Sequence, residues 1–174
     1  MTAPLELNAI VERHAQLEKR AMLLYRGLAE RFHGHAEASR IWRELSNTEA
    51  SHFALLELTQ DWITMAGAAT TSAPRGDSLE AAASGAPTLE AAAGDCEIER
   101  AVDLSLQWEE LELPRVLELV AGLPARAQAR VMAGLIAESA EHYRILMELV
   151  KVAGTPEQAP RVSALAEGAR AALG

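Results

Sequence analysis

The feature that most constrains the fold is an apolar stripe that carries a glutamate and a histidine in its middle. Between residues 38 and 63, apolar side chains recur every three or four positions, which is typical of one face of an α-helix. The stripe consists of Ala38, Trp42, Leu45, Glu49, His52, Leu56 and Ile63. Glu49 and His52 share this face because residues three apart are neighbours on a helix. A carboxylate among core side chains is costly unless a partner compensates it, so the stripe predicts a compensated polar group inside the core.

Three other segments repeat this pattern, and the sequence therefore predicts four long helices. Their expected bounds are 4–32, 37–65, 95–121 and 125–152. Each apolar face has acidic or imidazole groups near its middle. The set is Glu18 on helix 1, Glu49 and His52 on helix 2, Glu109 and Glu112 on helix 3, and Glu138 and His142 on helix 4. One buried charge has an ordinary explanation, but four helices with the same feature at similar depth indicate one shared site.

The segments between and after these helices complete an all-α domain that spans residues 1–174. The stretch 66–94 is rich in Ala, Gly, Ser, Thr and Pro and is longer than an antiparallel helix hairpin needs, so it predicts a long crossover. The tail, 157–174, has weak helical spacing and predicts either a short fifth helix docked on the bundle or a frayed end. Within helix 3, Asp95 is expected to be the cap, and Pro114 is expected to kink the helix or open it locally.

Charge and composition narrow the class of protein. The formal net charge is −9, which disfavours nucleic acid or an anionic membrane as a partner and favours a cation. Cys96 is the only cysteine, so neither an internal disulfide nor a four-thiolate metal site is available. No apolar run approaches the ~20 residues of a membrane span, and no signal peptide is recognisable. We therefore expect a cytoplasmic protein.

The buried acidic and imidazole groups predict a metal centre. Several carboxylates in a core of low dielectric constant repel one another, and each also carries a desolvation cost. Cations placed between them remove both penalties. Carboxylate and imidazole ligands suit iron, manganese or zinc, and a glutamate can bridge two metal ions in the core of a bundle.

At these residues the sequence resembles the ferritin-like superfamily, and most closely its rubrerythrin-type di-iron domain. The resemblance covers about residues 5–152. The family pattern is Glu on helix 1, Glu-x-x-His on helix 2, Glu on helix 3 and Glu-x-x-His on helix 4, with a second Glu three residues later on helix 3. Glu109 and Glu112 match that pair. The resemblance implies a ferritin-like four-helix bundle with about two iron ions per chain, which reacts with peroxide or dioxygen or oxidises and handles iron.

The sequence departs from the family pattern in two places. On helix 4, Ser139 stands three residues before His142, and Glu138 is four before it, which alters the usual Glu-x-x-His spacing. A single cysteine also excludes the rubredoxin domain of full rubrerythrins within this sequence, so the resemblance implies an external electron-donor protein. Many proteins of the family self-associate, and a homo-oligomer is therefore a further open prediction.

Other interpretations of the same residues stay open at this point. A degenerate ferritin-like module that binds one metal or none, and acts through protein interaction, is favoured by the altered helix 4 motif. Iron storage without catalysis is a third interpretation. Glu49 and His52 also fit a surface glutamate beside a hydrogen-bonded core histidine, His142 fits a satisfied core histidine, and Glu112 fits a solvent-facing residue. Packing is the simplest assignment for the tryptophans and for Tyr25, although Tyr25 also fits a hydrogen bond to a ligand or a redox role. His14 fits a plain core residue or a residue that contacts the ligands.

Overall fold

A computed structural model describes residues 7–65, 94–122, 134 and 141–173 of the chain. Every regular element in these ranges is helical, which confirms the all-α prediction. The first two helices are α1, Leu7–Arg31, and α2, Ala36–Met65. These bounds agree with the predictions of 4–32 and 37–65, apart from residues 1–6, which lie outside the described ranges.

Helices α1 and α2 form an antiparallel pair joined by a tight turn. The amide of His35 donates to the carbonyl of Phe32 at 2.9 Å, which closes the turn. Residues further along α1 contact residues nearer the start of α2, as expected for two antiparallel helices. These contacts join Asn8 to Thr64 (3.4 Å), the carbonyl of Met22 to the Ser46 hydroxyl (2.9 Å) and the carbonyl of Ala29 to the Ser39 hydroxyl (2.8 Å).

The third helix, α3, spans Ile98–Gly122 and continues through Pro114. It begins three residues later than predicted, and Asp95 lies in a turn outside it rather than acting as its cap. The cause is Arg31, whose guanidinium donates to the carbonyls of Gly94 (2.6 Å) and Cys96 (3.0 Å) and thereby holds this segment against the end of α1.

The fourth helix, α4, is described over residues 141–153. The rest of the predicted span 125–152, including Glu138 and Ser139, lies outside the described residues except for Gly134, and so does the predicted crossover except for Gly94. The helical spacing of His142, Ile145 and Leu149 predicts that Val152 follows them on the buried face, but this prediction is wrong, because Val152 is 42% exposed. The buried face instead runs through Leu146 and Leu149, and the half-buried Ala153 continues it.

A fifth helix, α5, spans Ala159–Leu173 and follows a single 3-10 turn, Pro156–Gln158. The tail is therefore a docked helix, one of the two predicted outcomes. Its contacts with α3 are both polar and apolar. Arg161 donates to Glu110 at 2.7 and 2.9 Å and also bonds Asp103, and Gln158 donates to the carbonyl of Glu99 at 3.2 Å. The buried side chains of α5 are Val162, Leu165 and Ala169.

One hydrophobic cluster includes residues from all five helices, with Trp42, Tyr25 and Leu104 among its fully buried members. The apolar faces of α1 and α2 point into it, because Ala21, Ala38 and Leu45 are fully buried members of the cluster. Val11 of α1 is fully buried as well. The burial of these stripes carries the acidic and imidazole groups of the same faces into the interior. Within the described ranges, no helix combines the length and apolarity that crossing a membrane requires.

Candidate metal centre

Five side chains from four helices converge in the core. They are Glu18 of α1, Glu49 and His52 of α2, Glu109 of α3 and His142 of α4. Four of them are buried to more than nine-tenths, and His52 has a side chain that is only 12% exposed. All five are residues that the sequence predicted as metal ligands. The interpretation of Glu49 as a surface residue is wrong, since it is 1% exposed.

Glu49 lies at the centre of the cluster and contacts both histidines. Its Oε2 atom is 3.2 Å from Nδ1 of His52, and its Oε1 atom is 3.6 Å from Nδ1 of His142. The two imidazole rings are 5.9 Å apart between centroids. The two oxygens of one carboxylate therefore face two different histidines, which is the arrangement that a bridging ligand needs.

The cluster divides into two groups of three donors, and Glu49 belongs to both. Glu18, Glu49 and His52 form the first group, in which Nδ1 of His52 is 3.5 Å from Oε2 of Glu18. Glu49, Glu109 and His142 form the second, in which Nε2 of His142 is 2.9 Å from Oε2 of Glu109. Within each group the ligand atoms lie within 4.8 Å of one another, which is close enough for one ion to contact all three.

Several buried oxygen and nitrogen atoms of this cluster lack a hydrogen-bond partner within the part of the chain that the structure describes. Among the described residues, Oε2 of Glu18, Oε1 of Glu49 and both ring nitrogens of His142 make no hydrogen bond of normal geometry. An unsatisfied buried polar atom costs about 1–3 kcal/mol, so such atoms are rare in a stable core. Their mutual proximity and their chemistry fit a divalent cation of the iron, manganese or zinc type. His142 does not fit the interpretation as a core histidine whose ring nitrogens are both hydrogen-bonded.

Burial and neighbouring charges raise the pKa values of Glu18 and His142 and lower that of Glu109. Burial raises the pKa of Glu18 to about 7, and the nearby Glu49 adds to this effect. Burial lowers the pKa of His142, but the charges of Glu109 and Glu49 outweigh it and raise that pKa to about 9. The pKa of Glu109 is lowered because His142 and a hydrogen bond from Tyr25 outweigh its burial. In the metal-free protein, Glu18 and His142 therefore bind protons more tightly than they would in water.

Glu112 lies beside the cluster but belongs to neither group of three donors. It is half-buried rather than solvent-facing, and its Oε2 atom accepts a hydrogen bond of 3.1 Å from the indole nitrogen of Trp108. Burial and the charges of Glu18 and Glu109 raise its pKa well above the usual range, as does a hydrogen bond with Glu18. Glu138, the remaining predicted ligand, lies outside the described residues, so its role stays a prediction.

Three aromatic residues contact the cluster or the neighbouring Glu112, and the sequence assigned two of them, Tyr25 and Trp108, most simply to packing. The hydroxyl of Tyr25 donates to Oε1 of Glu109, and the indole of Trp108 donates to Glu112. The ring of Tyr143 meets that of His142 edge-on, with centroids 5.7 Å apart. One general signal was available: a tyrosine or tryptophan on a buried stripe needs an acceptor for its polar hydrogen. His14 is also buried, one turn before Glu18, and belongs to neither donor group.

Comparison with known proteins does not assign the chain to a family. No protein-family model matches it, and no curated protein and no solved structure shows significant similarity to it.

Proposed function

We propose that this protein is a rubrerythrin-like, ferritin-like four-helix bundle with a long crossover between α2 and α3, whose core holds two metal ions. The observation that carries the proposal is the pair of three-donor groups that share Glu49. Glu18 and His52 would hold one ion, Glu109 and His142 would hold the other, and Glu49 would bridge them. Iron is the proposed metal, with manganese or zinc as the alternatives that this donor set accepts.

The proposed reaction is the two-electron reduction of peroxide or dioxygen, or the oxidation and handling of iron. A bound pair of ferrous ions would supply the two electrons, and an external donor protein in the cytoplasm would restore them. The buried donors exclude bulk water, because only the side chain of His52 exceeds one-tenth exposure. Tyr25 fixes the direction of Glu109 by donating its hydroxyl hydrogen to Oε1, which leaves Oε2 facing His142.

The metal content of the purified protein tests this proposal. The wild type is expected to bind about two ions of Fe(II) or Mn(II) per chain, as in other two-metal sites. His52→Ala and His142→Ala are each expected to keep about one ion, because each removes a ligand from only one group. Glu49→Ala is expected to lose more metal than either, since both groups contain this residue. Glu57→Ala, which removes an exposed carboxylate two turns along the same helix, is the matched control.

The same measurement separates the proposal from its main rival. A degenerate bundle that acts through protein interaction is favoured by Ser139, which stands where the family pattern has Glu. That rival predicts at most one metal ion per chain in the wild type, so the stepwise loss from two ions to one in His52→Ala and in His142→Ala would not be seen. An optical spectrum of the iron-loaded protein before and after addition of peroxide then tests the redox step, because iron storage without catalysis predicts no response to peroxide.

A further inference from the structure

Glu112 carries a carboxylate, which can bind a metal ion, and it lies near Glu18 and Glu109. It nevertheless belongs to neither donor group. It lies one turn after Glu109 on α3 and close enough to Glu18 for the two carboxyl groups to interact. A flexible carboxylate in such a position would ordinarily turn toward a cation. The contacts of Glu112 with its other neighbours explain why it lies apart.

Trp108 is the neighbour that fixes Glu112. Its indole nitrogen donates to Oε2 of Glu112 at 3.1 Å, and the two residues are four apart on α3, so the contact lies within one helix. Trp108 is itself packed in the core cluster, with only 3% of its surface exposed. Because core side chains are close-packed, the indole has little room to move, and its hydrogen bond holds the more exposed Glu112 in one direction.

Resting on the proposed metal centre, we infer that Trp108 is a positioning residue that holds Glu112 out of the ligand set. The centre then has five protein ligands among the described residues, and Glu112 faces Glu18 as an outer neighbour instead of binding a metal ion. Trp108 thus has a role in addition to packing. If its hydrogen bond to Glu112 were removed, the group formed by Glu18, Glu49 and His52 would be the one that gains Glu112 as a ligand.

The chain contains a matched control for the indole hydrogen bond. Trp42 is also buried in the core cluster, and its indole nitrogen donates at the same distance, 3.1 Å, to the hydroxyl of Ser105. Ser105 belongs to neither donor group. Trp42→Phe and Trp108→Phe therefore remove the same kind of bond and the same volume from the same core, but only Trp108→Phe releases a carboxylate beside the metals.

The experiment is a calorimetric titration of Zn(II) into the two variants and the wild type. If Trp108 holds Glu112 away, Trp108→Phe should bind Zn(II) about tenfold more tightly than Trp42→Phe, because a further carboxylate becomes available; changes around metal ligands commonly alter affinity ~10–100-fold. The gain should vanish in the double variant Trp108→Phe/Glu112→Gln. A weaker affinity of Trp108→Phe would show that Trp108 orients a ligand, and equal affinities would show that it only packs. Either result overturns the inference.

Glu112→Gln alone keeps the inference testable if Trp108→Phe does not fold. Its amide oxygen still accepts from the indole, but it cannot replace a carboxylate ligand. The inference expects the affinity for Zn(II) to stay within about twofold of the wild type, whereas a loss of ~10-fold or more would make Glu112 a ligand. If the wild type itself binds no Zn(II), Mn(II) or Fe(II), it is the proposed function that fails, and this outcome is distinct from both results above.

Discussion

At the scale of single residues, the contact between Tyr25 and Glu109 shows how the fold supports a charged group in its interior. Tyr25 is fully buried on α1, and Glu109 lies on α3, so the bond joins two helices across the core. It satisfies the phenol hydrogen and one carboxylate oxygen together. A hydrogen bond to a charged acceptor contributes about 1.5–3 kcal/mol, more than one between neutral groups.

Tyr25→Phe is therefore expected to lower the free energy of unfolding of the metal-free protein by about 1.5–3 kcal/mol. It should also weaken metal binding ~10–100-fold, because Glu109 loses the group that orients it. Ser46→Ala is the comparison, since it removes a neutral bond of 2.9 Å to the carbonyl of Met22 and should cost only about 0.5–1.5 kcal/mol without changing metal affinity. Denaturant unfolding and metal titration measure both effects, and an equal loss of affinity in the two variants would contradict the assigned role.

The sequence predicted the five converging donors but not the residues that orient them. Glu18, Glu49 and His142 lie on apolar stripes, and a helical period of 3.6 residues is enough to place them in the core. Tyr25 and Trp108 lie on buried faces as well, but the sequence does not specify their acceptors. For Tyr25 the acceptor is on another helix, and the bond depends on how α1 and α3 are rotated about their axes, which periodicity within one helix does not determine.

At the scale of helices, α5 shows which contacts dock a short element. Leu165 is 7% exposed and lies in the core cluster, whereas Arg161 forms ion pairs with Asp103 and Glu110 on α3 in a partly exposed position. Burial of a leucine contributes more than an ion pair near the surface, because water and salt screen the charges. The docking of α5 should therefore depend mainly on its apolar face.

Leu165→Ala is accordingly expected to lower the free energy of unfolding by about 2–5 kcal/mol through the cavity it leaves. Arg161→Ala is expected to cost about 0.2–1 kcal/mol. Chemical denaturation monitored by circular dichroism gives both values. If Arg161→Ala were the more damaging change, the polar contacts with α3 rather than the buried face would hold α5 in place.

The helix bounds were predictable to within about three residues at the described ends, and the errors have local causes. Asp95 is a good cap by residue type, but the guanidinium of Arg31 takes the carbonyls on either side of it. Val152 fitted an extrapolated stripe on α4, yet the buried face passes instead through Leu149 and toward Ala153. Both errors come from contacts between helices, which sequence periodicity does not describe.

At the scale of the whole molecule, the buried charges couple stability to pH and, if the proposed metal centre forms, to metal as well. The pKa of Glu18 is raised to about 7 from a usual value of 4.5, so the folded state binds its proton more tightly than the unfolded state does. The resulting contribution of Glu18 to the free energy of unfolding is fully present below pH 4.5 and is lost as the pH rises through 7. The pKa of His142 is raised from 6.5 to about 9, so its contribution is present below 6.5 and is lost as the pH rises through 9.

Both shifts have the same sign, and the metal-free protein should lose stability as the pH rises from about 5 to about 9. For Glu18 alone, at about 1.4 kcal/mol per pKa unit, the loss is on the order of 3 kcal/mol. Glu18→Gln should reduce the decline below pH 7, and the raised pKa of Glu112 accounts for the part that remains. Glu57→Gln, at an exposed position on α2, should leave the decline unchanged. Melting temperatures of the chelated protein across this range test the prediction.

Metal should reverse this dependence, because a cation competes with protons for the same carboxylate and imidazole atoms. A metal at ~100 times its dissociation constant adds about 2.7 kcal/mol to the free energy of unfolding, and for a chain of this size each 1 kcal/mol raises the Tm by roughly 2–4 °C. The difference in Tm between loaded and chelated protein should therefore grow from pH 5 to pH 8. A difference that stays constant, or a chelated protein that becomes more stable over this range, would mean that the cluster binds neither the protons nor the cations assigned to it.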